Sequence, residues 1–202
     1  RAEPGDDLIS AMIHTPGPPP SDADLLSAVR LVLVSGHRAV TALVANGLLV
    51  LLQDREHWQR LVREPALVDS AVEELLRYVT PIALSVPRYA NCPIEVGGVV
   101  IPDGEIIQAA WGAANRDPVR IEDPDRLDLA RAPNGHLSFG HGHHYCPGAP
   151  LGRLEASIVL RTLVDRFPRI RLAADQPARF RTGSVRELVR LPVLLEPGAG
   201  GG

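Results

Sequence analysis

The chain contains no lysine: all 21 of its basic residues are arginine, set against 24 acidic ones for a net charge of -3. Nucleic-acid binding needs clustered positive charge, and this balance, with a pI near 6.2, gives no electrostatic reason to expect it. Cysteine is nearly missing too. Its two copies, Cys92 and Cys146, sit in unlike contexts, which argues against a disulfide framework and for a reducing, cytoplasmic compartment. Long clean apolar runs are also absent. The longest stretch, "LVLVSGHRAVTALVANGLLVLL", is interrupted by His37, Arg38 and Asn46, short of the ~20 apolar residues of a membrane span, and no signal peptide precedes it. What is present is 202 residues, 45% of them hydrophobic, enough to build the core of one ordinary domain or two small ones. The first residue is not methionine and "RAEPGDDLIS" reads as the middle of a helix-and-loop region, so a fragment is expected.

After the linker-like "HTPGPPP", "SDAD" resembles a capping box, with Ser21 at the cap and Asp24 reaching back near the positive helix end. A long helix is predicted over 21–52. It is apolar almost all round, a rod of roughly 47 Å that belongs in the middle of a larger protein. "DREHWQRLVREP" predicts a short amphipathic helix stopped before Pro65, and 66–79 predicts another, opened by a proline and closed before Pro81. "SVPRYA", "IEVGGVVIP" and "EIIQAA" carry the β-branched residues and Gly-Gly or Asp-Gly turns of short hairpins. The polar stretch "AANRDPVRIEDPDRLDLARAPNG" reads as one long loop, and a loop of that length is usually functional. A last helix is predicted over 149–167, followed by strand-like "RIRLA" and "VRELVRLPVLLE", while the "GAGGG" tail looks disordered. The class is mainly α with small β-hairpins, an α+β fold.

"FGHGHHYCPG", Phe139 to Gly148, packs three of seven histidines around Cys146, between glycines, at the mouth of the last helix. A cysteine there is a buried small hydrophobe by default. Against that, Gly140, Gly142 and Gly148 let the backbone approach something flat and bulky, and the helix points its N–H groups at the sulfur, a setting that favours the metal-binding thiolate. Zinc is the rival, since His141, His143, His144 and Cys146 offer both usual ligand types. The spacing is poor for it, because His143 and His144 are adjacent and no second ligand pair with zinc-site spacing occurs. A lone thiolate suffices for a metal whose other ligands come from a macrocycle.

Phe139, Gly140, Gly142, His144, Cys146 and Gly148 match F-G-x-G-x-H-x-C-x-G, and the chain resembles the cytochrome P-450 superfamily, the bacterial soluble type in particular. "EELLR" supplies E-x-x-R as Glu74 and Arg77, "DPDRLDL" supplies a meander arginine, Arg126, and "GGVVIPDGE" and "GAANRDP" extend the likeness over residues 5 to 195. The resemblance implies the C-terminal half of one such domain, running from the end of a preceding helix and loop (1–20) through the central oxygen-binding helix to the haem-thiolate loop (135–148). It implies an N-terminal half outside this chain, haem b (iron protoporphyrin IX) as cofactor, and Cys146 as axial ligand, whose electron-rich thiolate helps cleave an O–O bond. Arg88, His136 and His144 fall where the family places partners of the haem propionates, and Phe139 would pack beside the macrocycle. Alone, Glu74 and Arg77 are an ordinary i, i+3 pair; the resemblance makes them a buried triad with Arg126. Cys92, His14, His57, His141 and His143 receive no role.

The long helix departs from the family's A-G-x-[DE]-T-T. With Gly36 at the motif glycine, "SGHRAVT" puts Arg38 at the acid and Ala39 at the alcohol, with Thr41 one residue too late, about 100° further round. Relatives lacking the alcohol recruit a substrate hydroxyl, and peroxide-using members place an arginine on this helix to hold a substrate carboxylate. Two readings follow. One is a monooxygenase-type oxidoreductase acting on a small organic or natural-product substrate with electrons from a ferredoxin or flavodoxin, and with neither nucleic acid nor membrane as partner. The other is a degenerate or non-catalytic module similar to P-450-like recruitment domains.

Overall fold

The computed structural model describes residues 3–173, 180–181 and 183–196; the glycine-rich tail falls outside them. Contacts divide the chain into two compact units, Arg1–Arg38 and Ala39–Gly202. In the first, helix α1 (Leu8–Ile13) is capped by Asp7, whose carboxylate accepts from Ser10 N. Helix α2 (Asp22–Gln53) begins here. Its cap is Ser21, which accepts from Asp24 N at 3.1 Å and donates its hydroxyl to the Asp24 carboxylate at 2.6 Å, so the reciprocal bond of the box runs between the two side chains. Leu26, Leu31, Leu33 and Val34 on this part of the helix are exposed. By length and composition alone α2 is apolar enough to cross a membrane, so the polar residues at 37, 38 and 46 do not exclude a span.

From Ala42 onward α2 is core. Leu43, Leu48, Leu51 and Leu52 pack with Trp58 and Leu61 of α3 (Arg55–Arg63) and with Val68, Ala71, Val72, Leu75 and Leu76 of α4 (Val68–Val79). Each fully buried Leu or Val contributes about 1.5–3 kcal/mol. A Cβ on Gly47 would stand 3.1 Å from Leu75 Cδ1, which is why α2 carries glycine where it presses on α4. Asp54 caps α3 by accepting from Glu56 N, and Trp58, fully buried, donates its indole N–H to Pro168 O at 2.9 Å.

Small sheets follow. Strand β1 (Arg88–Tyr89) waits for β4 (Ile106–Ile107), while β2 (Ile94–Val96) and β3 (Val99–Ile101) form the hairpin that Gly97 and Gly98 turn. The polar stretch read as one long loop begins inside a helical turn, α5 (Trp111–Ala114), which takes in its first two residues, Ala113 and Ala114. Helix α6 (Ala149–Arg166) buries Gly152, Ala156, Leu160 and Val164, one face at helical spacing, and α4 packs beside it. Strand β5 (Arg171–Leu172) pairs with β8 (Val193–Leu194), and β6 (Phe180–Arg181) with β7 (Glu187–Leu188).

Candidate functional site

The loop before α6 is closed on itself. Cys146 N donates to Phe139 O at 2.9 Å, Gly140 N to Leu137 O at 2.9 Å, Tyr145 N to Gly142 O at 3.0 Å, and Ala149 N to Cys146 O at 3.2 Å. Gly140 and Gly142 sit at φ 75° and 72°, left-handed conformations that cost other residues strain. The chain can therefore reverse twice within a few residues and bring the half-buried Cys146 thiol to the N-terminus of α6.

Asn115, in the stretch after α5, fixes the base of this loop. Its Oδ1 accepts from Leu137 N at 2.7 Å, and its Nδ2 donates to Ser138 Oγ (2.9 Å) and Thr80 Oγ1 (3.0 Å). Ser138 in turn donates to Leu76 O at 2.6 Å, tying the loop to the end of α4. The "GAANRDP" segment carries this asparagine in an aperiodic polar stretch that gives no local sign of its role; the structure buries it to 1% exposure.

A second anchor involves Glu73 of α4. Arg153 of α6 donates through Nε and Nη2 to its two carboxylate oxygens at 2.7 and 3.0 Å, and His136 Nε2 lies 3.1 Å from Oε2. Because His136 Nδ1 accepts from Ser138 N at 3.2 Å, the ring carries its proton on Nε2 and donates it to Glu73. Burial pushes the Glu73 carboxyl up, but hydrogen bonds from His136 and Arg153 outweigh it and hold the group at about 2. Arg153 is held above its ordinary value by the hydrogen bond to Glu73.

Glu74, adjacent but pointing into the protein, is fully buried and forms a bidentate pair with the equally buried Arg77, Nε to Oε2 and Nη2 to Oε1, each 2.8 Å. The second guanidinium on Glu74 belongs to Arg131, whose Nε lies 3.2 Å from both oxygens. This corrects the expectation for Arg126. Its side chain is 65% exposed and pairs with Asp128, and only its carbonyl joins the cluster, accepting from Arg77 Nη2 at 3.2 Å and Arg131 Nη2 at 3.1 Å. Asp128 N and Asn134 Nδ2 complete the shell around the carboxylate at 2.9 and 3.0 Å. Burial raises the pKa of Glu74, while the bonds from Arg77, Asp128 N and Arg131 lower it further than burial lifts it.

Of the other expected residues, Arg88 is exposed on β1 and His144 exposed in the single helical turn Gly142–His144. Gly36 and Arg38 belong to the first unit and Ala39 opens the second, with α2 unbroken through all three. Among the described residues no three His, Cys, Asp or Glu side chains converge as a metal site. The histidines around Cys146 thus do not assemble the ligand set that zinc needs.

A family model for cytochrome P450 matches residues 3–193. The chain belongs to the cytochrome P450 family. It is 44% identical to cytochrome P450 107B1 of Saccharopolyspora erythraea over 98% of this chain and 50% of that protein. It is 41% identical to 6-deoxyerythronolide B hydroxylase of the same organism over 97% and 50%. Among solved structures it matches P450BioI in complex with hexadec-9Z-enoic acid ligated acyl carrier protein, with TM-score 0.90 and 40% identity over 96% of this chain and 50% of that one. The chain spans about half the length of these relatives. The P450 fold is likewise that of the solved neighbours.

The family implies haem, and the residues present fit it. The donor at the loop is one half-buried thiol, and among the described residues no three His, Cys, Asp or Glu side chains converge, as suits a metal that brings further ligands in a macrocycle. Gly148 flanks the sulfur at the head of α6: a Cβ there would stand 3.8 Å from Cys146 Sγ, an ordinary van der Waals contact.

Proposed function

We propose that the chain is the C-terminal half of a haem-thiolate monooxygenase that oxidises a small organic or natural-product substrate, with Cys146 as the axial ligand. The observation that carries this reading is the loop in which Cys146 N is held by Phe139 O at the head of α6. Haem b, when bound, supplies the redox iron at which dioxygen takes two electrons and two protons, one oxygen atom entering the substrate (RH to ROH) and the other leaving as water.

This chain's own residues orient and shield. The backbone loop aims the thiol at the head of α6, and Phe139 limits solvent beside the sulfur. Arg88 and His144, both exposed, hold the propionates, the arginine fork taking two oxygens at once. His136, grouped with them from sequence, spends both ring nitrogens on Ser138 and Glu73 and braces the loop instead. Glu74, Arg77 and Arg131 lock α4 to the meander. Electrons come from a ferredoxin or flavodoxin, in the cytoplasm.

On α2, Ala39 carries no hydroxyl and Arg38 no acid, so these positions offer no proton relay. Protons then come from a substrate hydroxyl, or peroxide serves as oxidant while Arg38 holds a substrate carboxylate. The same two residues favour a second reading, a degenerate or non-catalytic P450-like module that recruits a carrier-bound partner. Pyridine haemochrome assay of the full-length protein separates the two. The enzyme reading predicts one haem b per chain; protein that folds and purifies without haem under haem-replete expression supports the module.

A further inference from the structure

The Arg153 guanidinium touches both ends of the Cys146 loop. At the entrance, its Cζ stands 4.5 Å from the centroid of the Phe139 ring. At the exit, its Nη1 donates to the hydroxyl of Tyr145, the residue before Cys146, at 3.3 Å. Phe139 is where the loop is pinched shut, since Cys146 N bonds Phe139 O, and Tyr145 is the residue just before that bond. The Phe139 ring also rests against α6 at Gly152, where a Cβ would lie 3.8 Å from Phe139 Cε1, and the His136 and Tyr145 rings stand 5.9 and 6.3 Å from it. The guanidinium plane is fixed from a third direction by its two bonds to Glu73.

We propose that Arg153, oriented by Glu73, is the positioning residue that sets the Cys146 loop, gripping Phe139 by a cation–π contact and Tyr145 by a hydrogen bond. A guanidinium suits this task because its plane can lie over a ring while its edge forks onto a carboxylate; an ammonium offers a point charge without the plane. The Glu73–Arg153 pair is partly exposed, at 30% and 34%, so solvent screens part of what it adds to global stability. Its consequence is local. Without it the loop keeps its backbone bonds and glycine turns but loses the grip that fixes where the sulfur sits.

The inference rests on the haem-thiolate reading and is tested on the haem-loaded protein through two readouts that do not need turnover. These are the share of the reduced carbon monoxide complex showing the strongly red-shifted thiolate band, and the rate of haem loss to a scavenging globin. Arg153→Gln should convert most of that band to the unshifted form and speed haem loss about tenfold, with Arg153→Lys intermediate. In a Phe139→Leu/Tyr145→Phe background, where both contacts are gone, Arg153→Gln should add nothing. A wild-type thiolate band that Arg153→Gln leaves intact at an unchanged haem-loss rate overturns the positioning role. So does a full Arg153→Gln effect in the doubly substituted background. No thiolate band in the unmodified protein overturns the haem-thiolate reading itself.

Discussion

Arg131 Nε lies 3.2 Å from each carboxylate oxygen of Glu74, the same two oxygens that Arg77 grips. Two guanidinia thus share one buried carboxylate, and the meander is joined to α4 through a charge that water does not reach. Removing Arg131 leaves that charge partly uncompensated, so Arg131→Ala should cost about 3 kcal/mol in urea unfolding. Arg126→Ala, which deletes an exposed pair with Asp128, should cost less than about 0.5 kcal/mol. Equal losses would contradict the assignment.

Glu74 itself should be intolerant of truncation. Glu74→Ala strands two arginines, one of them fully buried, and should yield apoprotein or aggregate. A stable holoprotein with altered product selectivity would show that the cluster acts on chemistry rather than on folding.

Acid should unfold the protein through these same groups. Glu73 titrates near 2 when folded against an ordinary value of 4.5, and Glu74 is shifted in the same direction. A depressed folded pKa means stability that is fully present above about 4.5 and is lost as the pH falls towards 2. Thermal midpoints should decline across that window, and Glu73→Gln should flatten part of the decline. A decline of undiminished steepness in Glu73→Gln would remove Glu73 from the account.

What could be read in the sequence follows from the range of the interactions. Helices α2, α4 and α6 announce themselves through local signals: the Ser21 cap, the proline before α4, and the buried spacing from Gly152 to Val164. The Cys146 loop is legible because glycines and a cysteine at fixed spacing belong to one short segment. Arg131 was missed because two arginines lie five residues apart in an aperiodic stretch, and only the turn of the chain decides which faces inward. The Arg153–Glu73 contact spans 80 positions, and the two-residue strands β1 and β4 pair across a whole hairpin; neither leaves a local trace.

The oxygen face offers a reversible test. Arg38→Glu with Ala39→Thr reinstates an acid and a hydroxyl at the family's positions, and the fraction of electron donor converted to product should rise if only the relay is missing. If Arg38 instead anchors a substrate carboxylate, Arg38→Glu should abolish substrate binding measured by spectral titration. Efficient donor-driven turnover by the unmodified protein, on a substrate with neither hydroxyl nor carboxylate, contradicts both.

The central claim is that the Cys146 sulfur is the iron ligand, and the spectrum of the reduced carbon monoxide complex tests it most directly. The full-length protein should show the strongly red-shifted Soret band of thiolate ligation, and Cys146→Ala should lose it. A Cys146→Ala variant that binds haem and keeps that band would contradict the account.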